Sequence, residues 1–276
     1  MAIVGNPDQE FRLPVRVALI NNYSFLAHWH NEIEMLLVLD GKMKVGINSE
    51  TRNLNSGDLA ICRSGDIHFY DGLNSQCRGL VIAFAPQIIE NMISLPANSR
   101  LTPFIDQATV TGAGLDPAAI EAIRRTMQQL HNEMDRKDKH YQVFVLSLLH
   151  ELIGLSLRHL PAKSNAGVRS ESAAARKLTQ RAIKYIENNY ALAISLEKVA
   201  QHLGITEVYF SRVFIKVTGL NFKTYLNKLR IEKAKNMILY SDDPIVEIAC
   251  KCGFGSIRTF NRVFKSEKGI APTQLR

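Results

Sequence analysis

Arg258, Asn261, Arg262 and Lys265 recur at three- and four-residue intervals, so a helix would carry them on one face. Phe260, Val263 and Phe264 fall on the opposite face. An Arg/Asn/Arg/Lys face suits the DNA major groove. The Arg fork matches guanine, the Asn amide matches adenine, and Lys meets phosphate. An upstream segment repeats the pattern, with Phe210, Val213, Phe214 and Val217 inward and Val208, Ser211, Arg212 and Ile215 outward. With Thr206, Lys216, Ser256 and Thr259, the polar and outward positions form the candidate DNA-contacting set: Thr206, Val208, Ser211, Arg212, Lys216, Ser256, Arg258, Thr259, Asn261, Arg262 and Lys265. Cysteine chemistry offers less. Cys62, Cys77, Cys250 and Cys252 fit neither a disulfide framework nor a C-x2-C zinc site. They lie in strand-like runs or in the helix before the second basic face, a poor setting for the activated thiol of an alkyl transferase.

The elements that position these faces form an internal repeat. Leu196–Gly219 aligns with Ile245–Gly269: Ala200 with Ala249, Gly204 with Gly253, Phe210 with Phe260, Arg212 with Arg262, Phe214 with Phe264. In each copy a short amphipathic helix ends near a Gly suited to a left-handed turn. Thr206 or Ser256 stands where an N-cap belongs, and a second helix follows. This is the helix-turn-helix plan, over residues 195–219 and 244–269. Between the copies, Phe222–Tyr240 reads as one long helix spanning about 27 Å. Two basic faces joined by such a strut could enter successive major grooves, about 34 Å apart.

The charge agrees. The 276-residue chain has net charge +8, but residues 1–166 are nearly balanced. Residues 167–276 hold 19 Lys+Arg against 9 Asp+Glu. A basic C-terminal module suggests a polyanion partner, and the near-neutral part another role. That part reads as short strands, Val15–Ile20, Met35–Leu39, Lys42–Ile47, Leu59–Cys62 and Gly79–Phe84, separated by turn pairs such as Asp40-Gly41. Helical periodicity begins after Pro117, with Ile120, Ile123, Met127 and Leu130. A second helix over residues 140–159 is apolar on more than one face. Phe144, Leu148, Leu152 and Leu155 make it the expected seam of a homodimer. The expected domains are a barrel over 1–112, a helical dimerisation segment over 113–160, a linker over 161–173 and a DNA-binding domain over 174–276. The start of the chain has no basic stretch followed by an apolar run, and no run reaches the roughly 18 residues of a membrane helix. A cytoplasmic chain with no membrane partner is expected.

Residues 176–276 closely resemble the DNA-binding domain of the AraC/XylS family of bacterial transcription regulators. The resemblance is carried by Ile205-Thr206-Glu207-Val208-Tyr209-Phe210-Ser211-Arg212-Val213-Phe214, by Ile248-Ala249-Cys250-Lys251-Cys252-Gly253-Phe254-Gly255, and by Phe260-Asn261-Arg262-Val263-Phe264-Lys265 with Gly269-Ile270-Ala271-Pro272. Ile215 departs from the usual Lys, and Leu275 from the usual aromatic. The N-terminal part resembles the cupin barrel attached to many such regulators, through H-x-H-x3-E-x6-G (His28, His30, Glu34, Gly41) and G-x7-G-x2-H (Gly57, Gly65, His68). Arg63 and Gly72 depart from the second pattern.

The resemblance implies an α+β multidomain chain. A cupin-type β-barrel with a helical hairpin precedes an all-α domain with two helix-turn-helix motifs. It implies a transcription regulator, more often an activator working beside RNA polymerase, that binds double-stranded DNA and a small polar effector, with sugars a common class. His28, His30, Glu34, Arg63 and His68 are the implied effector residues. In metal-binding cupins the positions of His28, His30, Glu34 and His68 are ligands, and three imidazoles with a carboxylate suit Zn²⁺, Fe²⁺ or Mn²⁺. The alternative function is a metal-dependent cupin enzyme tethered to DNA, although no acid/base set stands out beyond those four residues. Asp8 and Glu10 belong to an N-terminal arm expected to cover the barrel mouth.

Overall fold

A computed structural model describes residues 13, 15–72, 76–88, 109–111, 116–160 and 170–276. Asp8, Glu10 and most of the expected arm lie outside them, as do residues 161–169. The chain divides into two compact units, one within residues 8–169 and one over 170–276.

Among the described residues nine strands build the first unit: β1 (Val15–Asn21), β2 (Ser24–His28), β3 (Ile33–Asp40), β4 (Lys42–Ile47), β5 (Glu50–Asn55), β6 (Leu59–Cys62), β7 (His68–Asp71), β8 (Arg78–Phe84) and β9 (Thr109–Thr111). They form two antiparallel sheets, in the orders β1-β8-β3-β6-β9 and β2-β7-β4-β5. Strands β2, β5, β7 and β9 lack the apolar runs that reveal the other five. Thr51, Arg52 and Asn53 of β5 are exposed, and β7 opens on a histidine. Alternation explains β3, which is buried on both faces. Its Met35 and Leu37 join Leu59, Ile61, Leu80, Ile82 and Phe84 in a core beneath two helices. Leu36 and Val38 point the other way, into the core between the sheets, with Val45, Leu54, Cys62 and Tyr70. Glu34 shares that inward phase.

Two long helices follow the strands, α1 (Pro117–Arg136) and α2 (Tyr141–His159). Asp116 caps α1, its carboxylate accepting from the Ala118 N–H at 3.0 Å. Ile123, Met127 and Leu130 of α1 pack with Val145, Leu149, Leu152 and Ile153 of α2 against the outer face of the five-stranded sheet. This removes Leu152 from the expected dimer seam. Leu152 is fully buried within the unit, and Leu148 and Leu155 are partly buried against the same core. The sheet consumes that side of α2, leaving Val143 and Phe144 exposed.

The second unit contains α3 (Ser170–Asn189), α4 (Leu196–Leu203), α5 (Glu207–Thr218), α6 (Phe222–Tyr240), α7 (Ile245–Lys251) and α8 (Ile257–Lys268), then a short 3-10 turn at Pro272–Gln274. Helix α3 starts at Ser170, so residues 170–173, expected in the linker, are helical. The strong helix former Ala at 173, 174 and 175 favours this start. Cys252 follows α7 as its C-cap rather than lying inside it. Ala200 and Ala249 are buried, where small side chains let helices approach.

Candidate nucleic-acid interface and barrel histidine cluster

The two helix pairs share a local design. Helix α4 ends at Gly204 (φ 72°), and the Thr206 hydroxyl then accepts from the Tyr209 N–H at 3.3 Å to start α5. Helix α7 is followed by Gly253 (φ 82°), and the Ser256 hydroxyl accepts from the Thr259 N–H at 3.2 Å to start α8. Each cap contributes about 1 kcal/mol. Phe210, Val213, Phe214 and Val217 of α5, and Phe260, Val263 and Phe264 of α8, are buried.

The opposite faces are open. Thr206, Val208, Arg212, Lys216, Ser256, Arg258, Thr259, Asn261, Arg262 and Lys265 are exposed, whereas Ser211 is half-buried. Val208 is 80% exposed. Among the described residues no ion pair holds Arg212, Arg258, Arg262 or Lys265, so these cations are free to meet an anion. The Arg212 guanidinium lies 5.7 Å from the ring centroid of Tyr209, a neighbour that the outward-face spacing did not single out.

In the barrel the sheets bring together four of the five expected effector residues, His28, His30, His68 and Glu34. His28 ends β2 and pairs in register with His68, the first residue of β7. His30 lies in the β2–β3 loop, and Glu34 faces them from β3 of the other sheet. One ring nitrogen each of His28, His30 and His68 lies within 4.8 Å of the others, close enough to share a metal ion. His30 Nε2 is 3.2 Å from Glu34 Oε2, and His68 Nε2 is 3.5 Å from Glu34 Oε1. The Tyr70 hydroxyl donates to Glu34 Oε1 at 2.5 Å, and the Cys62 thiol lies 3.5 Å from that hydroxyl.

Backbone carbonyls orient two of the rings. His28 Nδ1 is 2.8 Å from the Leu26 oxygen, and His68 Nδ1 is 2.9 Å from the Asp66 oxygen. Each Nδ1 donates to its carbonyl, which leaves the His28 Nε2 as a free lone pair, while the His68 Nε2 faces the Glu34 carboxylate. Burial, with His68 beside it, pushes His28 down to about 3, so it is neutral. Burial alone would raise Glu34, but the hydrogen bonds from His30 and Tyr70 and the His68 imidazole beside it hold it well below the usual carboxylate range. Burial works against His68, and the Glu34 carboxylate outweighs it and raises that imidazole. His30 Nδ1 and His68 Nε2 are buried without a hydrogen-bond partner. Orphaned imidazole nitrogens around an ionised carboxylate fit a divalent cation of the Zn²⁺, Fe²⁺ or Mn²⁺ class by donor type.

Arg63 is placed differently from its expected effector role. Its Nε and Nη2 donate to both oxygens of buried Asp66 at 2.8 and 3.0 Å. Asn48 also donates to Asp66 at 2.9 Å and accepts from the Ile67 N–H at 3.1 Å. This group braces the turn that delivers His68. The three-residue spacing of Arg63 and Asp66 was the available signal, hidden because it lies in a turn rather than a helix. Burial pushes the Cys62 thiol well up and the Cys252 thiol up to about 11, so neither of these two is an activated nucleophile.

Two family profiles match the chain: "AraC-like ligand binding domain" over residues 18–153 and "Helix-turn-helix domain" over 199–276. The chain belongs to the AraC/XylS family. It is a regulator with a ligand-binding type of domain followed by a helix-turn-helix domain for DNA. The HTH-type transcriptional activator RhaS of Citrobacter koseri is 24% identical over 92% of this chain and 88% of the relative. RhaS of Escherichia coli is 22% identical over 91% and 87%. Among solved structures, the C-terminal domain of AraT, a response regulator from Geobacillus stearothermophilus, is 35% identical over 36% of this chain and 83% of that one, with TM-score 0.35. Among the described residues no helix is long and apolar enough to cross a membrane.

Proposed function

We propose that this regulator activates transcription by reading two DNA half-sites, one with α5 and one with α8, under the control of a small polar effector sensed in the barrel. The observation that carries the DNA reading is the duplicated capped helix with an exposed, unpaired basic face. Arg212, Arg258, Asn261 and Arg262 are the base readers, and Lys216, Lys265, Thr206, Ser256 and Thr259 meet backbone phosphate. Val208 and Ser211 supply apolar and hydroxyl contacts. Activation follows the names of the RhaS relatives, and contact with RNA polymerase is the means proposed for it.

In the barrel, His28, His30, His68 and Glu34 would hold a divalent cation. The ion would supply a Lewis-acid anchor for an anionic or hydroxylated effector such as a sugar. Tyr70 keeps Glu34 aimed inward, and Arg63, Asp66 and Asn48 keep His68 in place. The exposed Val143 and Phe144 edge of α2 is the proposed contact of a homodimer.

The test is selection of bound duplexes from a random pool by the intact chain, then competition against random DNA. Arg262→Ala should weaken the selected duplex by about 1–3 kcal/mol and relax preference at one base position. Arg212→Ala should relax a different position, in the other half-site. Equal losses on selected and random DNA would reduce both residues to phosphate contacts.

A further inference from the structure

Helix α6 serves two cores. Its first half packs with the first helix pair, Phe222 against Phe210 and Tyr225 edge-on to Phe214 with centroids 5.2 Å apart. Its second half, Ile231, Ala234 and Ile238, packs with Ile248, Ala249, Phe260 and Phe264 of the second pair. Lys228 bonds Glu267 at 2.5 Å and Glu232 pairs with Lys268, so α8 is held to α6 from both sides of position 230. A lone helical strut joining two modules can bend and twist.

A second connection crosses at the junction. Arg230 donates from Nε to the Tyr190 carbonyl at 2.8 Å and from Nη2 to the Leu192 carbonyl at 2.9 Å. Those carbonyls lie just past the end of α3, where the helix dipole favours a cation. They also lead directly into Ser195, the N-cap of α4. The same guanidinium lies 5.7 Å from the ring centroid of Phe254, in the turn between α7 and α8. Beside it, Gly253 stands at φ 82°, and a Cβ there would come within 2.8 Å of the Tyr190 and Ala191 carbonyl oxygens. Lys233 adds a contact over the Tyr190 ring at 5.9 Å. The turn of the second helix pair therefore sits against the entry to the first, and Arg230 touches both.

We infer that Arg230 and Gly253 form a clamp that fixes α5 and α8 relative to one another, so that the chain reads two half-sites at one spacing only. This rests on the reading that both helix pairs bind DNA. Arg230 is a positioning residue, since it donates to carbonyls inside the fold and is not part of either basic face. Only a planar fork can hold two carbonyls while covering a ring, so Lys is not an equivalent. Fixed geometry matters because the second half-site is bound at a high effective concentration only if both faces are aligned together, a gain of about 10²–10⁴.

The experiment uses the full chain and a duplex it selects from a random pool. The same duplex lengthened by half a helical turn between the half-sites is measured, and each half-site alone. The wild type should lose about a hundredfold on the lengthened duplex. Arg230→Met should lose about tenfold or more on the parent duplex, hold its affinity for each half-site alone, and discriminate less against the lengthened one. Gly253→Ala should give the same pattern from the other side of the contact, and Arg230→Lys a partial one. The latter two report the outcome if Arg230→Met does not fold. The clamp is overturned if the variants keep the wild-type preference for spacing, or if they lose the same factor on isolated half-sites as on the parent. If the wild type binds one half-site as tightly as the parent duplex, the two-site reading falls, and the clamp with it.

Discussion

Glu34 is 6% exposed, ionised and surrounded by imidazoles, and it keeps its charge because Tyr70 and two histidines point at it. Tyr70→Phe removes one hydrogen bond to a buried carboxylate, worth about 1.5–3 kcal/mol. The variant should melt earlier and bind Zn²⁺ about 10–100-fold more weakly, measured by calorimetric titration. Unchanged Zn²⁺ affinity would remove Tyr70 from any orienting role. The four ligand-type residues were legible because their spacing is a sequence pattern. Tyr70 was not, because its role depends on sharing with His68 the inward phase of a strand that the sequence did not reveal. The structural partner of Arg63 was hidden for a related reason. A cation near a pocket motif looks available until its buried carboxylate partner is seen.

At the scale of elements, helix α2 separates what periodicity can tell from what it cannot. Its existence and ends follow from the apolar run, whereas which apolar face meets the sheet does not. Leu152 faces the sheet core and Phe144, 56% exposed, does not. Leu152→Asp should therefore cost about 4 kcal/mol or more and unfold the barrel unit rather than yield monomers, as a thermal melt would show. Phe144→Asp should leave the melt within about 0.5 kcal/mol. If this edge is the dimer contact, the same variant should sediment as a monomer where the wild type sediments as a dimer. A wild-type monomer at tens of micromolar would remove the dimer proposal. The two helix pairs were legible almost residue by residue, because caps, left-handed glycines and buried aromatics each have local signatures. Strand β5 was hidden because its exposed polar residues carry no such signal.

At the scale of the whole chain, the uneven charge and the change from strand to helix periodicity already separate two modules, and the structure gives each its own core. The sequence could not show that ligand-type side chains in the first module are buried with unpaired nitrogens, since that depends on how two sheets face each other. Separate cores have a thermodynamic consequence. Unfolding of the intact chain should not be a single two-state event, because the helical unit can keep its core after the barrel melts. A cation that binds only the folded barrel should then raise one transition and leave the other in place. Zn²⁺ at 100 times its dissociation constant stabilises by about 2.7 kcal/mol. For a unit of this size that corresponds to roughly 5–10 °C. A chelator should reverse the shift, and His68→Ala should abolish it while the second transition stays where it was. Two transitions that rise together would mean that the cation binds outside the barrel or that the units unfold as one. No shift with Zn²⁺, Fe²⁺ or Mn²⁺, in a wild type that shifts with a sugar, would make the histidine cluster the wall of an organic-effector pocket instead.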